Sequence, residues 1–413
     1  MTGVADLLPF RALRPSPGLA SRVAAPPYDV VDVEEARALA EGHPESFLHV
    51  SRPEIDLPDE IDPHAPEVYE MGRLALEAFR EGGLLRLDET ERFLVYRQVL
   101  GATTQTGIVG CASVADYRSG VIAVHEYTRP EKEDDRVAHI DALGAHDEPV
   151  FLMYREDGAA AAAVAAVMAA TTAAEPYEDF VTDDGVRHML WEVPAGAQTT
   201  ALADSFARIE RLYVADGHHR SAAADRVAGL RGDADGAMHF LVVTFPASEL
   251  NVLAYNRVVA DLAGRSPEQF LAALEPALTV TPATGPVTPA EAKHLGIYVA
   301  GRWYAAQIRP EVVDESDPVA RLDISVLQER VLDPVLGIGN PRTDSRIAFV
   351  GGSRGTAGLQ SLVDTGAYAV AFSMFPTTTT AVMDVADDGK VMPPKSTWFE
   401  PKLASGLFLH PFA

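Results

Sequence analysis

Arg211-Leu212-Tyr213-Val214-Ala215-Asp216-Gly217-His218-His219-Arg220-Ser221-Ala222-Ala223-Ala224-Asp225-Arg226 carries the strongest pattern in the chain. It opens as an apolar run of strand type, turns at Gly217 and continues as an Ala-rich helix. A strand feeding a tight turn at a helix N-terminus favours anions, because free backbone N–H groups and the helix dipole both point at the turn. Gly217 lets the backbone bend sharply and approach a ligand closely. Asp216, at the strand end, can accept a proton or hold Mg²⁺. His218, His219 and Arg220 stand at the first helical turn, where an arginine meets phosphate oxygens bidentately. The plain alternative is a capped helix start with the histidines in a polar network. Four polar residues on one turn exceed what a cap needs, so phosphate binding is the expectation.

Outward from that turn, 413 residues can bury a large core, and two domains are expected. A hydrophobic fraction of 47% and a charged fraction of 23% are those of an ordinary globular protein. The net charge of −26 and the lack of any basic run argue against a nucleic-acid partner. Cys111 is the one cysteine, which excludes a disulfide framework and a thiolate metal site; it reads as a small buried strand residue. No apolar segment reaches the roughly 18 residues of a membrane span, and no basic-then-apolar leader opens the chain. A cytoplasmic protein without a membrane partner is expected. A homo-oligomer is left open.

Before the turn, Pro-rich residues 1–31 read as extended, and Tyr28 and Asp29 are candidates to line a pocket. A helix capped by Asp32 is expected over 33–41, a short strand around Ser46-Phe47-Leu48-His49-Val50, and an amphipathic helix over 65–82 with Val68, Met71, Leu74, Ala75 and Phe79 inward. Residues 93–100 and 107–114 read as a hairpin, followed by a helix after Pro130 that holds His139 and His146. Strands are expected at 149–154, 189–193, 237–245 and 250–259, and helices at 158–173 and 200–208. Beyond about 260 come a helix at 266–275, a Pro/Thr loop at 279–290, strands at 296–300 and 303–308, and a helix at 318–333. Residues 346–375 read as a strand–helix–strand unit of the parallel kind, and a helix at 377–386 precedes the tail.

Three further groups can carry chemistry. His125 and Glu126 precede a charged run in which Lys132 and Arg136 fall on neighbouring helical turns, suited to phosphate or carboxylate; the plain reading is a solvated face. Glu126 is the best candidate base outside the turn. Lys395, Ser396 and Thr397 resemble the end of a phosphate loop, although the upstream glycines of a Walker loop are missing. Gly351-Gly352-Ser353-Arg354-Gly355 lies between a strand and a helix, but its spacing is not the dinucleotide fingerprint. The histidines and nearby carboxylates could assemble a metal site by folding, yet no helical His-Glu-x-x-His pattern is present.

Val214-Ala215-Asp216-Gly217-His218-His219-Arg220-Ser221-Ala222 resembles the signature box of the ParB/sulfiredoxin-like superfamily, as it stands in free serine kinases. Over nearly the whole chain the sequence is similar to the family called domain of unknown function 1015. That resemblance is carried by residues 23–30, 46–50 and 52–54, by His125-Glu126, by Asp216 to Arg220 and by Met392 to Lys402. It implies a mixed α/β (α+β) fold, with a ParB/sulfiredoxin-like core over residues 1–258 and an α/β part over 259–413. It further implies a nucleotide-dependent phosphotransferase acting on a small hydroxylated metabolite, with free L-serine the leading candidate, ATP or ADP as nucleotide and Mg²⁺ as cofactor. Gly217, His218, His219, Arg220, Lys132, Arg136, Lys395, Ser396 and Thr397 would bind the nucleotide. Asp216, Glu126 and His125 would serve catalysis, with Asp216 also on the metal; which carboxylate is the base stays open. The alternatives are a non-catalytic nucleotide-binding regulator and a metal-dependent phosphohydrolase.

Overall fold

A computed structural model describes residues 5–232 and 236–412, so the first four residues of the segment expected to be extended lie outside it. The chain forms two compact units, residues 1–250 with 401–413, and residues 251–400. The expected limit at 258 falls within a strand of the second unit, and the tail from Pro401 packs with the first.

The first unit is built on a nine-stranded mixed sheet. In chain order its strands are β1 (Leu7–Leu8), β2 (Leu94–Leu100), β3 (Thr103–Ser113), β4 (Ile122–Ala123), β5 (Val150–Tyr154), β6 (Glu178–Val181), β7 (Arg187–Glu192), β8 (Leu212–Asp216) and β9 (His239–Pro246). Across the sheet they run β4-β8-β5-β9-β3-β2-β7-β6, with β1 beside β3. The β4/β8 and β9/β5 pairs are parallel and the rest antiparallel. β5 and β8 are apolar nearly throughout, as strands buried on both faces must be. Cys111 is buried within β3.

The helices of this unit are α1 (Val33–Ala40), α2 (Pro66–Glu81), α3 (Pro130–Leu143), α4 (Gly158–Thr172), α5 (Ala197–Phe206) and α6 (His218–Arg231). Asp32 caps α1 in a reciprocal box with Glu35. Along α2 the buried face is Val68, Gly72, Leu76 and Phe79, while Leu74 is 46% exposed, so the inward stripe is rotated from the one expected. The strand expected around Phe47 is helical instead, Leu48–Ser51. A run that short has no decisive period, and packing against α2 settles it. His146 lies beyond the end of α3, because Gly144 stops the helix in the left-handed conformation.

The second unit holds a six-stranded sheet made of β10 (Tyr255–Val259), β11 (Leu278–Pro282), β12 (His294–Val299), β13 (Arg302–Ile308), β14 (Ile347–Gly351) and β15 (Val370–Met374). Their order is β11-β13-β12-β15-β10-β14, and every pair is antiparallel. The segment expected as a Pro/Thr loop opens with β11, since Leu278 is buried and the run pairs with β13. The expected parallel unit is present as β14, α7 (Gly355–Asp364) and β15, but β10 intervenes between the two strands and runs against both. The helix expected at 318–333 is regular only from Asp323, with a wider turn over Gln328–Leu332.

Candidate functional site

Strand direction assembles the site in the first unit. β4 and β8 are parallel, with Leu212 opposite Ile122 and Tyr213 opposite Ala123, so both C-terminal ends reach one edge of the sheet. His125 follows the first end and His218 the second. β5 is antiparallel to β8 and starts at that edge, which brings Asp147 and Glu148 there. The β8 register shifts between Val214 and Asp216, an irregularity that re-aims the Asp216 side chain.

Gly217 has φ 93° and ψ 30°, a backbone that favours glycine. A Cβ at this position would lie 3.2 Å from Arg220 Nε and 3.4 Å from Val150 Cα. No side chain caps α6, so its first-turn N–H groups face the turn without a side-chain acceptor.

Arg220 is 6% exposed and lies among carboxylates. Its Nη1 donates to the Pro149 carbonyl at 2.5 Å. Its Nη2 lies 3.5 Å from Asp216 Oδ2 and 3.7 Å from Asp29 Oδ2, and its Nη1 is 4.0 Å from Glu148 Oε2. The Arg220 Nε and the Glu148 Oε2 atoms are buried without a hydrogen-bond partner. Glu148 Oε1 accepts from the Tyr28 N–H at 3.0 Å and from Ser405 Oγ at 2.6 Å. Burial pushes the Glu148 carboxyl up, against the pull of Arg220. Lys402 Nζ donates to Asp216 Oδ2 at 3.2 Å. Burial alone would raise the Asp216 carboxyl, but Lys402 and Arg220 outweigh it and hold the group at about 2.

The histidines form the other wall. The His125 and His218 rings meet edge to face with centroids 4.5 Å apart. His218 Nε2 is buried without a hydrogen-bond partner, and the His125 ring nitrogens are buried with only the Val214 backbone beside them and no hydrogen bond of normal geometry. Burial pushes His125 down to about 4 and His218 well below the usual histidine value, so both are neutral near pH 7. Glu126 Oε2 is 4.0 Å from His218 Nδ1. His219 Nε2 accepts from the Arg129 backbone N–H at 3.1 Å. Burial lowers His219, with Arg129 and Lys132 adding to the effect. Buried polar atoms without partners are rare; among the described residues others lie elsewhere, on Asp88 and Gln105 for example, but those of His125, Glu148, His218 and Arg220 share one uncapped helix start.

The first unit thus brings together Asp216, Gly217, His218, His219, Arg220, His125 and Glu126, with Lys132 near His219. Arg136 is placed differently. It is buried, pairs with Asp135 at 2.9 Å and stacks 3.9 Å over the Tyr28 ring. Lys395, Ser396 and Thr397 belong to the second unit. There Lys395 Nζ lies 3.5 Å from the Tyr255 hydroxyl, and Ser396 Oγ donates to the Pro393 carbonyl. Glu148 and Lys402 were not singled out by sequence. The acidic pair ahead of a strand was a weak sign of Glu148, whereas nothing marked Lys402 above Lys395. Among the described residues, no three of His, Cys, Asp and Glu group to hold a metal ion, and no helix is long and apolar enough to cross a membrane.

The family described as "Protein of unknown function (DUF1015)" matches residues 7–325. No curated protein matches the sequence. Among solved structures, a free serine kinase in complex with AMP is 13% identical, with 71% of this chain and 86% of that chain covered at a TM-score of 0.33. SbnI with a C-terminal truncation from Staphylococcus aureus is 12% identical, with 71% and 82% covered at 0.36. A conserved hypothetical protein from Pyrococcus furiosus is 13% identical, with 71% and 90% covered at 0.31. Likenesses at these scores carry no argument about chemistry.

Proposed function

The chain belongs to the DUF1015 family, and we propose that it is a nucleotide-dependent phosphotransferase acting on a small hydroxylated metabolite, with free L-serine the first candidate. The observation that carries this reading is the uncapped start of α6 at Gly217, ringed by Arg220, Lys402 and unpartnered histidine nitrogens. Phosphoryl transfer asks a protein mainly for positioning and charge neutralisation. In the proposed arrangement the first-turn N–H groups and Lys402 hold the phosphates, and His219 borders them. Arg220 positions the turn by holding Asp29, Glu148 and Asp216. The substrate oxygen bonds to the terminal phosphorus as the bond to the leaving nucleotide (ADP from ATP, AMP from ADP) breaks, and the hydroxyl proton passes to a carboxylate. Glu126 suits that last task better than Asp216, because a carboxylate held at about 2 is a weak base. Magnesium, arriving with the nucleotide, would neutralise phosphate charge, and Asp216 would hold it.

The low Asp216 value also favours a second reading, a regulator that binds nucleotide without transferring a group. A coupled assay with ATP or ADP and L-serine separates the two, comparing wild type with Lys402→Gln and Glu126→Gln. Transfer that depends on the acceptor, with kcat/KM reduced about 100-fold in each variant, is expected. Unchanged turnover in both variants removes the site assignment, and binding or hydrolysis indifferent to the acceptor favours the regulator.

A further inference from the structure

We propose that Arg257 and Lys395 form an anion site on the second unit, whose ligand is the phosphoryl group of a phosphate monoester or nucleotide. Arg257, on β10, is 3% exposed. Its Nη1 donates to the Tyr255 carbonyl, and its Nη2 to the Lys395 carbonyl at 3.1 Å. Neither bond supplies a counter-charge. Among the described residues no carboxylate pairs with Arg257 or Lys395, and burial draws the Arg257 guanidinium down to about 10.

Lys395 completes the arrangement. Its φ of 56° is left-handed, a conformation that is costly for lysine and is held here by the Arg257 hydrogen bond. Its ammonium lies 5.4 Å over the Tyr255 ring. Tyr255 therefore touches both cations, one through its carbonyl and the other through its ring and hydroxyl. The Ser396 hydroxyl is committed to the Pro393 carbonyl, so charge and not a hydroxyl marks this loop. Among the described residues the other buried arginines, Arg14, Arg136 and Arg220, each face a carboxylate, and Arg257 does not. A buried guanidinium without a counter-ion is unfavourable until an anion arrives. A phosphoryl group suits the pair, since arginine recognises its oxygens through a planar fork and lysine as a point charge. The inference stands on the second unit alone and survives failure of the phosphotransferase reading.

Calorimetric titration of the full chain with inorganic phosphate tests it, with a serine phosphate monoester and ADP in parallel arms. Wild type is compared with Lys395→Asn and Lys395→Arg. Asparagine accepts the left-handed backbone, so Lys395→Asn keeps a thermal midpoint at or above that of wild type. Phosphate affinity is expected to fall about tenfold in Lys395→Asn and to return in Lys395→Arg. Lys402→Gln, in the first unit, leaves this component of binding in place. Equal affinity in wild type and Lys395→Asn, or no phosphate binding by wild type, overturns the site. Tighter binding of the monoester than of ADP identifies a small phosphorylated metabolite as the ligand, and the reverse order identifies a nucleotide.

Discussion

Two turns in this protein look alike on paper. Asp216-Gly217-His218 and Gly351-Gly352-Ser353-Arg354-Gly355 each carry a strand through glycine into a helix, and neither helix has a side-chain cap. Their surroundings differ. At Gly217 a Cβ would meet the charged Arg220 side chain at 3.2 Å. In the other turn a Cβ at Gly351 would meet Trp398 and one at Gly352 the Ala254 carbonyl, each at 2.8 Å, while at Gly355 nothing lies within 4 Å. Arg220 is buried among three carboxylates, while Arg354 is exposed. A glycine turn therefore supplies backbone donors, and the charges packed around it decide whether they serve a ligand.

Removing the two arginines tests that difference most severely. Arg220→Met strands Asp29, Glu148 and Asp216 without their cation, and urea unfolding should show a loss of about 3–5 kcal/mol. Arg354→Met should stay within about 0.5 kcal/mol of wild type. Equal losses would mean that the two turns are energetically alike.

Acid provides the next contrast. His125 titrates at about 4 in the folded protein and near 6.5 when unfolded. The unfolded chain therefore binds the proton first, so His125's contribution is complete above about 6.5 and disappears as pH falls toward 4. For this residue alone the loss approaches about 3 kcal/mol. His146, His188 and His410 are lowered by burial in the same unit. Only His294 lies between residues 251 and 400. Tryptophan fluorescence during acid titration should report Trp191 unfolding before Trp303 and Trp398; simultaneous transitions would erase the contrast.

The smallest effect separates the glycines. Gly217→Ala, at φ 93° and against Arg220, should cost about 2–3 kcal/mol. Gly355→Ala meets no neighbour within 4 Å, but at φ 59° and ψ −171° its backbone is nearly confined to glycine and should itself cost about 1–3 kcal/mol. Thermal midpoints of the two variants measure the gap.

The turn, its strand and its helix were legible because three local signals coincide at Asp216 to Arg220: a β-run, a glycine and an Ala-rich helix. The same locality misled elsewhere. Residues 46–50 carry too few positions to show a period, and contact with α2 makes them helical. The strand order of the second unit, with β10 between β14 and β15, depends on pairings across 88 to 115 residues that no local pattern records. Glu148 and Lys402 were hidden for the same reason, since each gains its place only when β5 or the tail reaches Asp216 and Arg220.

Residues 401–412 return to the first unit only after the chain has passed through the second. A ribosome therefore delivers Lys402 and Ser405 roughly 150 residues after Leu250, a delay of about 10–30 s at ordinary elongation rates. During that interval the nascent first unit holds Asp216 without its lysine and Glu148 without the Ser405 hydroxyl. The order of synthesis sets the order of assembly, and the turn at Gly217 is among the last parts of the fold to be finished.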